Sequence, residues 1–490
     1  MQERENLIQV WQPVEFSEKW LKTDTSLFDE LAPSWFEKRK SFKPNSKEYD
    51  DFLGKLKRQH AIETGIIEKL YDLSEGITQT FIKEGFIESY IGHKDTNISP
   101  TQLMSYLRDH SEAIDFVFDV VKNQRPLTKS FILELHQLIL QHQEYTWAID
   151  SLGNPVKVSV LKGKFKEHPN NPKREDGSVY IYCPPLQVES EIDNLLHIFN
   201  IRQNNTHPII LTAWFHHAFT QIHPFQDGNG RMARLLSTLI LVKNDLFPLN
   251  VLRNERTEYI KALEEADKGF PDSLVHFFCK IQRRNIEEAL NIQIQPDSLT
   301  QVAEILKEKI QASQSKQNRQ RIETIEKNRN LLTNEIYHII GKIQVELFKV
   351  IPMEQANIKT TSSDEKKYYY YTEQIIEYAK EHNYFFNKNL YRRWYRVSFS
   401  FLHKKRYDII ITIHHFGYSD STIAIGAFME FLDKTNEKKI IKQTIPIKLK
   451  PYIVSLENEL TENSKRNIET YLRDVLKVGM SIIINELTYL

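Results

Sequence analysis

His223-Pro224-Phe225-Gln226-Asp227-Gly228-Asn229-Gly230-Arg231, with Arg234 three residues on, is the stretch from which the chain can be read. It gathers a histidine, a carboxylate, two glycines and two arginines. The glycines flank Asn229 immediately before a strongly helical run, Met232 to Val242, so the order predicts a tight loop opening onto a helix N-terminus. Free backbone N–H groups and the helix dipole favour an anion there. Arg231 and Arg234 are spaced i, i+3 and share a face of the first helical turn. The anion that suits such a cradle is a phosphate. Asp227 adds a hard oxygen ligand of the kind Mg²⁺ takes alongside substrate phosphates, and His223 supplies a base that titrates near neutral pH. The residues describe a nucleotide-phosphate site with a general base beside it.

Working outward, residues 208–221 are apolar on nearly every side (Ile209, Ile210, Leu211, Ala213, Trp214, Phe215, Ala218, Phe219). A helix with so little polar surface belongs in the middle of a bundle, and it gives the motif a rigid mount. Further helices are expected within 46–88, at 101–122 behind Ser99-Pro100, at 128–143, 187–202, 255–268 and 271–290. Between them the period changes. Val156 to Val160 and Val179-Tyr180-Ile181-Tyr182, on either side of a polar turn from Glu167 to Gly177, predict a β-hairpin with a long loop. Beyond Pro296 a polar helical stretch covers 301–350. Strands are then expected at 396–401, 407–413, 422–425 and 440–447, flanked by helices at 371–382 and 463–487.

The expected fold class is mainly α: a helical bundle with a β-hairpin flap, followed by a smaller α+β C-terminal domain. The divisions expected are a helical extension over 1–45, a helical segment over 46–126, a core over 127–295, a helical linker over 296–350 and the α+β domain over 351–490. A chain of 490 residues is long enough for two or three such domains. Its 40% hydrophobic and 27% charged residues suit a globular protein. No apolar run approaches the roughly eighteen residues that span a bilayer, and the N-terminus lacks the pattern of a signal peptide. Two cysteines, Cys183 and Cys279, have no zinc spacing. No membrane partner and a cytoplasmic, reducing location are therefore expected. Residues 301–490 hold 30 Lys+Arg against 23 Asp+Glu, an excess of about +7 that the rest of the chain balances. That bias permits a protein or nucleic-acid partner for the C-terminal domain without requiring one.

His223 to Arg234 resembles the signature loop of the Fic family, His-x-Phe-x-Asp/Glu-Gly-Asn-Gly-Arg-x-x-Arg, at every fixed position. The run Arg256-Thr257-Glu258-Tyr259-Ile260-Lys261-Ala262-Leu263 resembles the helix after that signature, and the likeness covers roughly residues 46–290. The resemblance implies a Fic-type bundle and transfer of AMP from ATP, with Mg²⁺, to a Ser, Thr or Tyr hydroxyl of a target protein. His223 would then be the general base and Asp227 the metal ligand. Gly228, Asn229, Gly230, Arg231 and Arg234 would bind phosphates, and Phe225 would anchor the loop. The strand Val179, Tyr180, Ile181 and Tyr182 would clamp the target as an added strand. Many members also carry an inhibitory Ser/Thr-x-x-x-Glu-Gly/Asn helix. Thr64-Gly65-Ile66-Ile67-Glu68 is the best match, with Lys69 where the family has Gly or Asn, and Glu63 is the rival. The expected function is a protein adenylyltransferase autoinhibited by Glu68, compatible with self-modification and a homo-oligomer. The alternatives are a Fic-fold enzyme with another nucleotide or phosphate-containing donor, one that removes AMP, or an ATP-sensing module whose C-terminal domain binds protein or nucleic acid.

Overall fold

The computed structural model describes residues 11–42, 46–92, 94–149, 154–172, 179–292, 306–307, 316–351, 357–363, 368–400, 405–433 and 441–488. The chain divides into two compact units. One comprises Met1–Leu27 and Asp50–Asn285, the other Phe28–Tyr49 and Ile286–Leu490. The segment expected as an N-terminal extension, 1–45, is thus shared between them.

The first unit contains α1 (Glu18–Leu21), most of α4 (Lys47–Ile67), α5 (Glu75–Glu84), α6 (Pro100–Lys122), α7 (Lys129–Ile139), α8 (Val188–Arg202), α9 (Pro208–Ile222), α10 (Asn229–Lys243), α11 (Arg256–Asp267) and most of α12 (Asp272–Leu290). Local signals start these helices where the sequence places them. Ser99 caps α6 by accepting from Gln102 N–H ahead of Pro100, and Thr128 caps α7 by accepting from Phe131 N–H. Helix α9 is the bundle's central rod: every residue from Ile209 to Phe219 is buried. Helix α10 lies beside it, and Asn229 together with Arg231 through Leu241 is buried.

The hairpin differs from expectation. Strand β2 (Pro155–Ser159) pairs antiparallel with β1 (Tyr145–Ile149), in register from Tyr145↔Ser159 to Ile149↔Pro155, and not with residues 179–182. The reason is connection length. Tyr-Thr-Trp-Ala-Ile is a strand-favouring sequence only a few residues upstream of β2, whereas pairing with 179–182 would close a far longer loop. Residues 179–182 are instead tied to the preceding loop. Tyr180 N–H donates to Pro172 O (3.1 Å) and Tyr182 N–H to Asn171 Oδ1 (3.0 Å).

The second unit contains α2 (Ser26–Asp29) in part, α3 (Ala32–Ser41), α13 (Lys316–Val350), α14 (Thr372–Glu381), α15 (Glu462–Thr488) and a six-stranded antiparallel sheet. Its strands are β3 (Asn357–Ser362), β4 (Arg392–Ser400), β5 (Lys405–His415), β6 (Thr422–Asp433) and β7 (Ile441–Pro446), in that spatial order, with β8 (Tyr452–Ser455) also on β6. The sequence shows four of these; β3 and β8 went unexpected. Ile409, Ile411, Ile413, Ile425 and Met429 from one face of the sheet pack with Leu332, Ile336, Ile340, Leu472 and Val475 of α13 and α15. Period-2 and period-3.6 apolar patterns meet there, as they must to close a core. Among the described residues no helix is long and apolar enough to cross a membrane.

Candidate functional site

Helix α9 delivers His223 at its C-cap in the left-handed conformation (φ +50°, ψ 57°), with its N–H bonded to Phe219 O. That turn stops the helix and swings the next residues across the start of α10. Gly228, also left-handed at φ +83°, is the N-cap of α10. A side chain is disfavoured at that φ, so the second turn of the loop requires glycine.

Three side chains hold the loop in shape. Phe225 is fully buried, with its ring stacked on His136 at 3.6 Å and 5°. Asn229 Oδ1 accepts Phe225 N–H (2.9 Å) and its Nδ2 donates to Phe225 O (2.7 Å). The Asn229 amide therefore braces the loop, where the resemblance implied a phosphate donor. His136 Nδ1 accepts Gly163 N–H (3.0 Å), so its Nε2 carries the proton and donates to Asp227 O (3.0 Å). Burial pushes His136 down to about 4, which keeps this tautomer neutral at physiological pH.

His223 is half-buried, with Nδ1 3.3 Å from Thr220 O. A carbonyl partner demands Nδ1–H and leaves the Nε2 lone pair as the acceptor. Burial, with the Lys166 charge nearby, pushes the ring down to about 3, so it is neutral above that. Tyr182 stacks on the imidazole at 3.8 Å and 8°. Tyr180 O–H donates to Asp267 Oδ1 (3.1 Å), which His217 Nε2 also reaches (3.0 Å). The structure thus brings Tyr182 onto His223 with Tyr180 packed against it, though not as a hairpin strand.

Asp227 Oδ2 accepts Gln143 Nε2 (2.7 Å), while Oδ1 accepts Gly228 N–H and faces Arg231 Nη2 at 3.4 Å. Burial opposes its ionisation. The Arg231 charge and the bonds from Thr146, Gln143 and Gly228 together outweigh burial and hold the carboxyl below the usual range. Arg231 is buried, donates Nη2 to Gln143 Oε1 (2.9 Å), and leaves Nε with no acceptor among the described residues. Gln143 therefore joins the carboxylate to the arginine. Among the described residues no group of three His, Cys, Asp or Glu could enclose a metal. A single ionised carboxylate fits Mg²⁺ that draws its other ligands from phosphates and water.

Arg234, 1% exposed at its side chain, is surrounded by oxygen. Nε donates to Thr64 Oγ1 (2.9 Å), and Nη2 donates to Thr64 O (3.2 Å) and Glu68 Oε1 (2.7 Å). The Tyr259 hydroxyl also hydrogen-bonds the guanidinium. Behind Tyr259, Ser237 O–H donates to Ala233 O, so Ser237 Oγ accepts His216 Nδ1–H (2.9 Å) and His216 Nε2 accepts Tyr259 O–H (2.7 Å). His216 is a support for Arg234. A Cβ placed on Gly230 would collide with the Glu68 carboxylate. Glu68 therefore lies over the first turn of α10, on the cradle itself.

Helix α4 is fixed so that Glu68 reaches this point. Glu63, the rival inhibitory residue, is committed elsewhere: its carboxylate takes Arg253 Nη2 (2.8 Å) and Arg253 N–H (2.8 Å). Arg256 Nε donates to Ile67 O (3.0 Å) at the helix end. Tyr71 folds back over Gly65, where a Cβ would strike its ring, and donates to Ile62 O (3.1 Å). Lys69 is exposed and left-handed (φ +56°), and Leu70 N–H closes on Gly65 O. The family's Gly or Asn suits that backbone; the lysine points to solvent and does not crowd the cradle. The sequence gives no sign of His136, Gln143 or Tyr259 as site residues, because each reaches the loop from a distant helix or loop.

With this geometry in view, the comparisons are specific. Residues 126–241 match the profile of the Fic/DOC family. They are a Fic/DOC family domain. A Fido domain-containing protein of Dictyostelium discoideum is 40% identical over 93 residues, 18% of this chain and 64% of that protein. The protein adenylyltransferase Fic of Drosophila mojavensis is 27% identical over 166 residues, covering 33% of this chain and 28% of that one. A probable protein adenylyltransferase of Aquifex aeolicus is 54% identical over 94 residues, 19% and 28%. The chain thus spans less than two thirds of each of these relatives. A Fic domain containing signalling protein from Bacteroides thetaiotaomicron aligns with TM-score 0.44 at 21% identity, over 56% of this chain and 100% of that structure.

Proposed function

We propose that the Fic domain is a protein adenylyltransferase that moves AMP from ATP to a Ser, Thr or Tyr hydroxyl of a target protein and is restrained by Glu68. The observation that carries this reading is the Glu68 carboxylate lying on Gly230 and paired with Arg234 at 2.7 Å. The cradle has the chemistry of an anion site, and in the nucleotide-free chain its anion is the chain's own.

In the reaction, the target hydroxyl oxygen attacks the α-phosphorus and its proton passes to His223 Nε2. The bond from phosphorus to the bridging oxygen breaks, and pyrophosphate leaves with that oxygen. Thr220 fixes the tautomer that makes Nε2 the acceptor. The N–H groups of the α10 first turn face the phosphates. Arg231, held through Nη2 by Gln143 and beside Asp227, sets a positive charge next to the phosphates. Arg234 takes the outer phosphates once Glu68 leaves. Asp227 would hold Mg²⁺, which would supply neutralisation of charge on the phosphates. Tyr182, stacked on the face of the imidazole, fixes the plane of the ring and leaves the in-plane Nε2 lone pair outside the stack.

Intact mass after incubation with ATP and Mg²⁺ tests the reading. The Glu68→Gly protein gains one AMP on itself or on a lysate protein, wild type gains less, and His223→Ala combined with Glu68→Gly gains none. Label with a different nucleotide but not with ATP would move the proposal to another donor, and no label with any would remove it.

A further inference from the structure

The second unit carries a polar band that closing its core does not require. The register sets Lys359, Ser398, Asp408, Glu430 and Thr444 side by side across β3 to β7. The alternate residues of the same strands, such as Ile358, Phe399, Ile409 and Met429, face the core under α13 and α15. Like charges directly opposite on paired strands repel, yet Asp408 is 0% and Glu430 2% exposed. Each is held by a cation: Arg406 Nη2 lies 2.9 Å from Asp408, and Lys442 Nζ lies 2.7 Å from Glu430. The two carboxylates thus fix two cations at the border of this face, and Lys359 and Arg396 add two more; the middle of the face is itself covered, with Trp394 and Phe428 buried against Tyr371.

Beside this band stand Tyr368, Tyr369 and Tyr370, 45%, 59% and 55% exposed. The Arg392 guanidinium lies 4.9 Å from the Tyr368 ring and Lys442 Nζ lies 5.5 Å from the Tyr370 ring. Exposed aromatic rings beside ordered cations offer base stacking and phosphate contact together. An acidic peptide would use only the cations. The excess of 30 Lys+Arg over 23 Asp+Glu in residues 301–490 has the sign a polyanion needs.

We propose that this exposed tyrosine cluster and the cations around it bind single-stranded nucleic acid, with bases on Tyr368 and Tyr370 and phosphates on Arg392, Arg396, Arg406 and Lys442. The test is fluorescence anisotropy of labelled oligouridylate and oligothymidylate with the full chain across a salt series. Binding weakens as salt rises. The Tyr368→Ala/Tyr370→Ala protein, altered only at exposed rings, keeps the wild-type melting temperature and binds ~10-fold or more weaker. Arg392→Ala lowers the salt slope by about one phosphate contact. Absence of binding at low salt overturns the proposal. So does binding that the tyrosine pair leaves unchanged, or displacement of the oligonucleotide by polyglutamate as readily as by unlabelled oligonucleotide.

Discussion

Glu68→Gly separates control from catalysis, and its size follows from the geometry. The carboxylate sits 2.7 Å from Arg234 Nη2, with side chains 33% and 1% exposed. Opposite charges about 4 Å apart attract by roughly 4 kcal/mol at an effective dielectric of about 20. The open side of Glu68 screens part of that, and Thr64 and Tyr259 still solvate Arg234 after the carboxylate goes. A net contribution of about 2–3 kcal/mol is left, the range of a hydrogen bond to a charged group. If the pair must open before the outer phosphates bind, wild type is competent about 1% of the time, and its apparent ATP affinity is lower by about 100-fold. Glu68→Gly should therefore bind ATP about 100-fold tighter by calorimetry and modify itself or its target correspondingly faster. The same change leaves a buried guanidinium without a counter-ion, so the nucleotide-free variant should melt below wild type. Saturating ATP should stabilise it more than wild type. A lower melting temperature with unchanged ATP affinity would refute the reasoning, since it would make the pair a structural brace that never competes with nucleotide.

Three further outcomes follow from single contacts. His60, His110, His216 and His223 are pushed by burial down to about 3, and His136 to about 4, so the folded chain refuses protons that the unfolded chain binds below its ordinary 6.5. Their contribution is complete above pH 6.5 and is lost as pH falls toward the folded values; a melting temperature that stayed flat down to pH 5 would contradict this. Lys69→Gly relieves a left-handed backbone at the end of α4 and should raise stability by roughly 0.5–1 kcal/mol while lowering basal modification. A lower melting temperature would show that the Lys69 conformation carries no strain. Gln143→Leu removes the bridge between Asp227 and Arg231 and should cut kcat/KM by about 10–100-fold, with more Mg²⁺ needed for half-maximal rate. Unchanged metal dependence would assign Gln143 to packing alone.

What was legible in the sequence was what is local in it. His223 to Arg234 shows its chemistry because base, carboxylate, glycines and arginines lie within three turns of chain, and Thr64 and Glu68 share a helix face at i, i+4. The braces of that loop are not local. Gln143 lies 84 residues from Asp227 and His136 lies 91, as measured along their hydrogen bonds, and neither has a neighbour in sequence that hints at the contact. The hairpin was misjudged because Val156–Val160 alternates whichever strand it pairs with; periodicity fixes a strand's faces, not its partner. Tyr145–Ile149 is hidden in the sequence because the helical pattern of residues 128–143 runs almost up to it. In the second unit the central strands are strongly apolar and declare themselves. Strand β3 (Asn-Ile-Lys-Thr-Thr-Ser), at the sheet edge with little burial, does not.

On the proposed reading, the placement of Arg234 gives restraint and catalysis one shared residue. A guanidinium 1% exposed cannot be left with neutral partners alone without a large desolvation cost. A state in which an anion accompanies it is therefore more stable than one without. Glu68 supplies that anion from the end of α4, a helix itself tied down through Glu63–Arg253 and Arg256–Ile67. Nucleotide can bind at Arg234 only by supplying an equivalent charge, so the γ-phosphate and Glu68 are linked reciprocally: whatever loosens the end of α4 tightens ATP, and ATP loosens α4 by the same free energy. Contacts that hold α4 should act on this balance without touching nucleotide. Arg256→Ala removes the guanidinium bond at Ile67 O and should move ATP affinity in the same direction as Glu68→Gly, by a smaller factor of about 3–10 for one hydrogen bond. Combined with Glu68→Gly it should have almost no further effect on ATP binding, because the group it positions is already gone. Full additivity of the two would mean that Arg256 acts on the nucleotide site by some route other than Glu68.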